Sequence, residues 1–128
     1  MRKTILFVCL LLSFVQLFAD EKFFPPPTTP ASNITFTTID GGDFRINWTS
    51  GNGARRIVVM RQGAPVTGTP VNGVDYTASL VFGNGDILNA GEFIVQDASS
   101  SFADVSNLQP NTTYHVTVFE YNGTASAT

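Results

Sequence analysis

The chain has few of the residues from which redox, metal and nucleophilic sites are usually built. Its 128 residues include one cysteine, Cys9, and one histidine, His115. A single cysteine forms neither an internal disulfide nor a cysteine-rich metal site. The sequence contains no Gly-x-Ser-x-Gly or His-Glu-x-x-His motif, so His115 has no recognisable catalytic partner. We therefore expect no enzymatic activity and no cofactor.

Charge is also scarce in this chain. Charged side chains form 13% of the residues, against about a quarter in an ordinary soluble protein. The formal net charge is −3; all acidic residues lie after position 19, whereas Arg2 and Lys3 are two of the seven basic ones. The net charge of the residues after position 19 is thus more negative than that of the full chain. Nucleic acid, whose phosphates need a basic surface, is not an expected partner.

The N-terminal residues have the pattern of an export signal. Arg2 and Lys3 precede an apolar run over residues 5–18, and Ala19 is a small residue at the expected cleavage site. At about fourteen residues, the run is shorter than the roughly twenty that a transmembrane helix needs. We expect a cleaved signal peptide over residues 1–19, no membrane span after cleavage, and a secreted or cell-surface location.

Prolines mark the next segment. Three consecutive prolines, Pro25–Pro27, and a fourth, Pro30, lack the amide hydrogen that a sheet interior requires. This composition predicts a stiff, extended linker over residues 20–31. The folded domain is then expected to span residues 32–128.

Apolar residues in the rest of the chain alternate with a period of two, and the helical spacing is not seen. Phe44, Ile46 and Trp48 point one way in such a run. The stretch 57–60 is apolar on both faces, which predicts a central strand covered on both sides. Gly, Asn and Asp residues that favour tight turns separate the runs. The pattern predicts an all-β antiparallel sandwich.

A motif near the C-terminus narrows this fold class. Leu108, Pro110 and Tyr114 follow the spacing Leu-x-Pro-x-Thr-x-Tyr, and alternating valines come after them. The motif resembles the tyrosine corner of fibronectin type III domains, and Trp48 resembles their buried tryptophan. The resemblance implies an immunoglobulin-like sandwich. In it, Leu108 closes the end of the core, Pro110 fixes the turn, and the Tyr114 hydroxyl bonds to the backbone upstream by reaching a nearby carbonyl.

Two stretches depart from the pattern of that family. Residues 63–101 form a longer connection than usual, and we expect an added hairpin there with arms at 76–82 and 92–95. This long form resembles fibronectin type III modules of large bacterial secreted and surface proteins. Glu120 lies where the family has a small inward residue. Either the strand has left the core at that point, or the carboxylate has a partner.

The last strand of the family, strand G, is expected to be missing or truncated. Only residues 124–128 follow the turn at Asn122 and Gly123. A strand edge without a partner is a liability that proteins normally cover. We therefore expect the chain to be the front piece of a longer protein whose next residues supply this strand.

Phe119 and Tyr121 are the aromatic candidates for contact with a partner. They lie on the face opposite the core valines, and with the loop residues Asn84 and Asp86 they form the candidate contact surface. Aromatic side chains on an open sheet face stack on sugars or anchor a protein partner. The alternative, which we favour, is that the added hairpin folds over them. The turn around Asp86 lacks the ordered ligand pattern of a calcium loop, so no metal site is expected.

These features predict a non-catalytic spacer or interaction module of an exported protein. Its expected partners are other domains of a longer chain, together with an extracellular protein or a polysaccharide. One alternative is a carbohydrate-binding or adhesin-type module that uses the aromatic residues and the Gly-rich loops. A remoter alternative is a pilin-like subunit that is completed by a donor strand from a partner.

Overall fold

A computed structural model describes residues 23–123 of the chain. The expected signal peptide at residues 1–19, the first linker residues and residues 124–128 of the expected domain lie outside this part. Within it, the structure has strands and no helix. The strands are β1 (Ser32–Asp40), β2 (Asp43–Thr49), β3 (Arg55–Gln62), β4 (Ile87–Asn89), β5 (Glu92–Ala98), β6 (Phe102–Val105) and β7 (Tyr114–Tyr121).

The strands form two antiparallel sheets. One sheet has the order β1-β2-β6, and the other has the order β4-β5-β3-β7. The main core lies between the sheets and takes side chains from both. The prediction of an all-β, two-layer antiparallel architecture is confirmed.

The side chains of β2 alternate between the core and the surface, as the sequence pattern predicts. Ile46 and Trp48 are buried in the main core, and Phe44 packs against it. Arg45 points outward and forms an ion pair with Asp104 on β6. Burying a large apolar side chain contributes roughly 1.5–3 kcal/mol, so β2 is held mainly by its inward face.

β3 is the central strand that the apolar stretch 57–60 predicts. It lies between β5 and β7, and its residues Ile57 to Met60 are 0% exposed. Val58 and Met60 belong to the main core, whereas Ile57 and Val59 belong to a second cluster on the other face of the sheet. The prediction of a strand covered on both sides is confirmed.

Residues 63–78, which we call the cover segment, pack across the outer face of the four-stranded sheet. The second cluster beneath them consists of Ile57, Val59, Ile94 and Tyr121. Val66, Tyr76 and Ala78 of the cover segment pack against this cluster. The long connection after β3 thus adds a third layer to the sandwich.

The added hairpin has a different first arm from the one that the sequence predicts. β4 and β5 form the hairpin, and residues 76–82 form no strand. Instead, the N–H of Ser79 donates to the carbonyl of Ile94 on β5, and the N–H of Phe82 donates to the carbonyl of Ser106 after β6. The prediction of a strand at 76–82 is wrong because these residues bond to both sheets and close one side of the sandwich.

The described part of the proline-rich linker is bound to the domain. The N–H groups of Thr28 and Thr29 donate to Oδ1 of Asn52 at 3.1 and 2.9 Å. Asn52 lies in the loop before β3, and its own N–H donates to the carbonyl of Thr29. The side chain of Asn122 donates to the carbonyl of Pro25 at 2.8 Å. These contacts fix the direction in which the linker enters the domain.

Candidate functional site

The residues of the tyrosine motif come together at the connection from β6 to β7. The hydroxyl of Tyr114 accepts a hydrogen bond of 2.8 Å from the N–H of Gln109. Leu108 is buried, Pro110 lies in the exposed turn, and the ring of Tyr114 packs edge-to-face on Phe82. The hydroxyl reaches the backbone as expected, but its partner is an amide hydrogen and not a carbonyl. This corner fixes the entry of the chain into β7.

Trp48 contributes to packing and not to polar recognition. It is buried in the main core, and its Nε1 has no hydrogen-bond partner in the part of the chain that the structure describes. Trp48 is the chain's only tryptophan, so its fluorescence reports on the main core alone.

Glu120 on β7 holds the loop that precedes β3. Both carboxylate oxygens lie 3.0 Å from Nε of the buried Arg56. The N–H groups of Gly51 and Gly53 donate to the same carboxylate at 2.7 and 3.0 Å. A Cβ at Gly53 would lie 2.7 Å from Oε2 of Glu120, so a larger residue would displace the carboxylate. Of the two alternatives for Glu120, the structure shows the one in which the carboxylate has a partner.

Glu92 on β5 holds the cover segment in a similar way. The N–H groups of Thr67 and Gly68 donate to its carboxylate at 2.6 and 2.9 Å, and the Thr67 hydroxyl donates at 2.9 Å. Nη1 of Arg61 lies 3.3 Å from the same carboxylate, which is 0% exposed. Burial raises the pKa of the Glu92 carboxyl, but these hydrogen bonds and the Arg61 charge outweigh it and hold the pKa below its ordinary value.

Phe119 and Tyr121 lie beneath the cover segment. Phe119 is half-buried, and Tyr121 is 1% exposed. The Tyr121 hydroxyl donates to Oδ1 of Asp97 and accepts from Nε of Arg55 at 2.7 Å. Burial, followed by the bond to Asp97, raises the pKa of Tyr121 to about 12. Tyr121 is thus covered, as the favoured alternative predicts, and the connection after β3 is what folds over it.

Asn84 and Asp86 organise a turn. Oδ2 of Asp86 accepts a 2.7 Å hydrogen bond from the N–H of Thr77, and the N–H of Asp86 donates to the carbonyl of Thr77 at 2.8 Å. The N–H of Asn84 donates to the carbonyl of Val81. Asn84 is exposed, but the carboxylate of Asp86 is engaged by the protein's own backbone. The four residues of the candidate contact surface therefore do not form one open surface.

The sandwich has an open side between β1 and β7. In residues 23–123, β7 pairs only with β3, so it forms an edge of its sheet. Phe36 on β1 is in register with Ile46, which directs both side chains to the core face. Phe36 is nevertheless 44% exposed, although its ring packs edge-to-face on Phe44 at 5.3 Å. A core-facing aromatic at the surface indicates that none of the strands within residues 23–123 covers the core on this side.

Within residues 23–123, no three His, Cys, Asp or Glu side chains converge to hold a metal ion. The same residues include no helix of the length and hydrophobicity needed to cross a membrane. His115 lies on β7 in register with Arg61 on β3, at the end of the sheet where the cover segment begins.

No model of a known protein family matches the chain, and no curated protein matches it either. A function for this chain is therefore proposed from its residues and their geometry.

Proposed function

We propose that the chain is a non-catalytic fibronectin type III-like module of an exported surface or secreted protein, and that it acts as a spacer and interaction unit. The order of the strands, the bond from Gln109 to Tyr114 and the buried Trp48 support this family. The rigid body between the linker and β7 would hold neighbouring domains apart. Its loops and its open side would supply contacts.

The main support for this proposal is what the buried charged side chains bind. Arg56, Glu92 and Glu120 are the buried charged residues of the described part. Each is bound to the protein's own groups, and both carboxylates accept backbone N–H groups of loops. A catalytic acid or base must reach a substrate. These side chains hold loops in place instead, which is the chemistry of a scaffold.

The proposal is tested on the exported protein by two measurements. N-terminal sequencing should find a mature chain that starts after Ala19. Panels of ester, glycoside and peptide substrates should show no turnover. Turnover that is lost in His115→Ala would contradict the proposal.

A glycan array separates the module from the carbohydrate-binding alternative. We expect no retention, because Tyr121 is buried and its hydroxyl is engaged by Asp97 and Arg55. Retention that is lost in Phe119→Ala, with Trp48 fluorescence unchanged, would favour the carbohydrate-binding alternative.

The open side supports a second candidate function, which is completion by a strand supplied by another chain. Such a strand would pair with the free edge of β7 and cover Phe36, as in donor-strand complementation. Size-exclusion chromatography of residues 20–128 tests this idea. Polymers, or a fold that depends on a partner, would support it. A monomer that neither polymerises nor responds to a partner would contradict it.

A further inference from the structure

The cover segment is fastened near its start by a single carboxylate. Three hydrogen-bond donors of the segment, at Thr67 and Gly68, converge on Glu92. Arg61 also donates to the carbonyl of Pro65 at 3.2 Å, which places its guanidinium beside the same turn. Further along, Tyr76 and Ala78 lie on the second cluster through apolar contacts. Glu92 therefore supplies the polar attachment at the start of the segment, and Asp86 binds its other end at Thr77.

The ionised form of Glu92 suits this position, and the protonated form does not. An ionised carboxylate only accepts hydrogen bonds, and here it accepts from two N–H groups, one hydroxyl and Arg61. Protonation of either oxygen gives the carboxyl an O–H donor, and this O–H would face the N–H and hydroxyl donors that surround Glu92. It also removes the charge that attracts Arg61. Buried groups that lose their partners carry a large desolvation cost.

We propose that the cover segment is a releasable flap, which the ionised Glu92 carboxylate holds closed and which opens when that carboxylate takes up a proton from solvent. Opening exposes the second cluster, with Ile57, Val59 and Tyr121, as an apolar surface. The main core lies on the other face of the four-stranded sheet and remains closed. This device goes beyond the proposed spacer role and does not depend on it.

The groups around Glu92 define the direction of the effect. β3 supplies the positive charge of Arg61, and β4 supplies Asn89, which donates to the Thr67 hydroxyl at 3.2 Å. β7 supplies His115, in register with Arg61, and the cover segment supplies no titratable side chain at the carboxylate. The pKa of Glu92 lies below its ordinary value of 4.5. The attachment is thus complete above pH 4.5 and is lost as the pH falls through the lower value of the folded state.

Hydrogen exchange at neutral pH tests the attachment without acid. Glu92→Gln removes the charge at nearly constant volume and places an NH₂ group among donors. We expect the amides of residues 64–78 to exchange roughly tenfold faster or more, because a buried bonding site is disrupted. The amides of β2 and β3 and the fluorescence of Trp48 should not change. Unchanged exchange in residues 64–78, or a parallel change at Trp48, would overturn the proposal.

Two further variants keep the test decisive if Glu92→Gln folds poorly. A Cβ at Gly68 would lie 2.7 Å from Oε2 of Glu92, so Gly68→Ala should open the segment from its own side while the carboxylate stays intact. Asp86→Asn is the matched control, since Asp86 accepts from Thr77 on an exposed turn. Gly68→Ala should reproduce the faster exchange across the segment, whereas Asp86→Asn should affect the amide of Thr77 alone. The reverse pattern would assign the attachment to Asp86.

Acid titration tests the proton itself. As the pH of the wild-type protein falls from about 7 to about 3, a dye that binds apolar surfaces should bind before Trp48 fluorescence changes. Glu92→Gln should bind the dye already at neutral pH and lose this acid step. Retention of the wild-type step in Glu92→Gln would overturn the proposal. Its loss in His115→Gln would overturn it as well, because the imidazole would then be the titrating group.

Discussion

At the scale of single residues, two glutamates perform the same task on either side of β3. Glu120 binds the loop before this strand through Gly51 and Gly53, and Glu92 binds the segment after it through Thr67 and Gly68. Each carboxylate has an arginine from β3 as its partner. Backbone N–H groups in loops need acceptors when they are buried. The two glutamates supply those acceptors and tie both loops to the sheet.

Removing the Glu120 carboxylate should destabilise the protein strongly. Glu120→Ala leaves Arg56, whose side chain is 8% exposed, without its partner and also orphans two loop amides. Breaking a buried ion pair costs about 3–5 kcal/mol. Urea unfolding followed by Trp48 fluorescence measures the loss. The exposed pair of Arg45 and Asp104 offers the control, and Asp104→Ala should change stability little. Equal losses in both variants would contradict this prediction.

Because of Tyr121, the free energy of unfolding should depend on pH in the alkaline range. Its pKa is raised from 10.0 to about 12, so its contribution is complete below pH 10.0 and is lost as the pH rises through about 12. Tyrosinate absorbance should show one late transition that Tyr121→Phe removes and Tyr76→Phe keeps. The fall in unfolding free energy above pH 10.0 should be smaller in Tyr121→Phe. A late transition that survives in Tyr121→Phe would contradict the assignment.

At the scale of elements, the tyrosine corner sets how β6 leads into β7. Tyr114→Phe removes the acceptor of the Gln109 N–H and keeps the ring that packs on Phe82. A single neutral hydrogen bond contributes about 0.5–1.5 kcal/mol, so we expect a loss in that range in urea unfolding. Tyr114→Leu, which also removes the ring, should lose more. Equal stability of Tyr114→Phe and the wild type would show that the bond contributes nothing.

Elements with local signals could be predicted from the sequence, and those that depend on distant partners could not. The alternation in β2 and the apolar stretch in β3 each carry their structure within a few residues. Residues 76–82 also alternate, but their backbone bonds to Ile94 on β5 and to Ser106 after β6 without forming a strand. A sequence in which apolar and polar residues alternate is therefore also compatible with an irregular segment that packs between two layers.

The attachment at Glu92 had one weak signal in the sequence. Glu92 and Ile94 are two residues apart in a strand, so their side chains lie on the same face, and Ile94 is apolar. An acidic residue in phase with buried ones indicates a buried carboxylate that needs partners. Its partners at positions 67 and 68 come from a segment without secondary structure. Their positions could not be inferred from periodicity.

At the scale of the whole molecule, the two long sides of the sandwich differ. Residues 79–86 bond to β5 and to the end of β6 and close one side. The other side, between β1 and β7, leaves Phe36 partly exposed. The outer face of the four-stranded sheet is covered as well. An additional strand at the open side would pair with the free edge of β7 and cover Phe36.

A strand added at the open side should stabilise the molecule. We expect a chain extended past Thr128 by about fifteen residues with alternating apolar side chains, enough for a turn and one strand, to melt at a higher temperature. Two or three newly buried apolar side chains would contribute roughly 1.5–3 kcal/mol each, and each kcal/mol raises Tm by about 4–8 °C in a domain of this size. The amides of β7 should also exchange more slowly, since its free edge acquires partners.

The control for this extension keeps its length and removes its packing. An extension in which the alternating apolar residues are replaced by serine keeps the chain entropy and the backbone donors but buries no side chains against Phe36. It should leave Tm close to that of the unextended chain. If both extensions raise Tm equally, backbone pairing along β7 suffices, and the core is not completed. If neither raises it, the open side is a finished surface of the module, and an incoming strand is not what it needs.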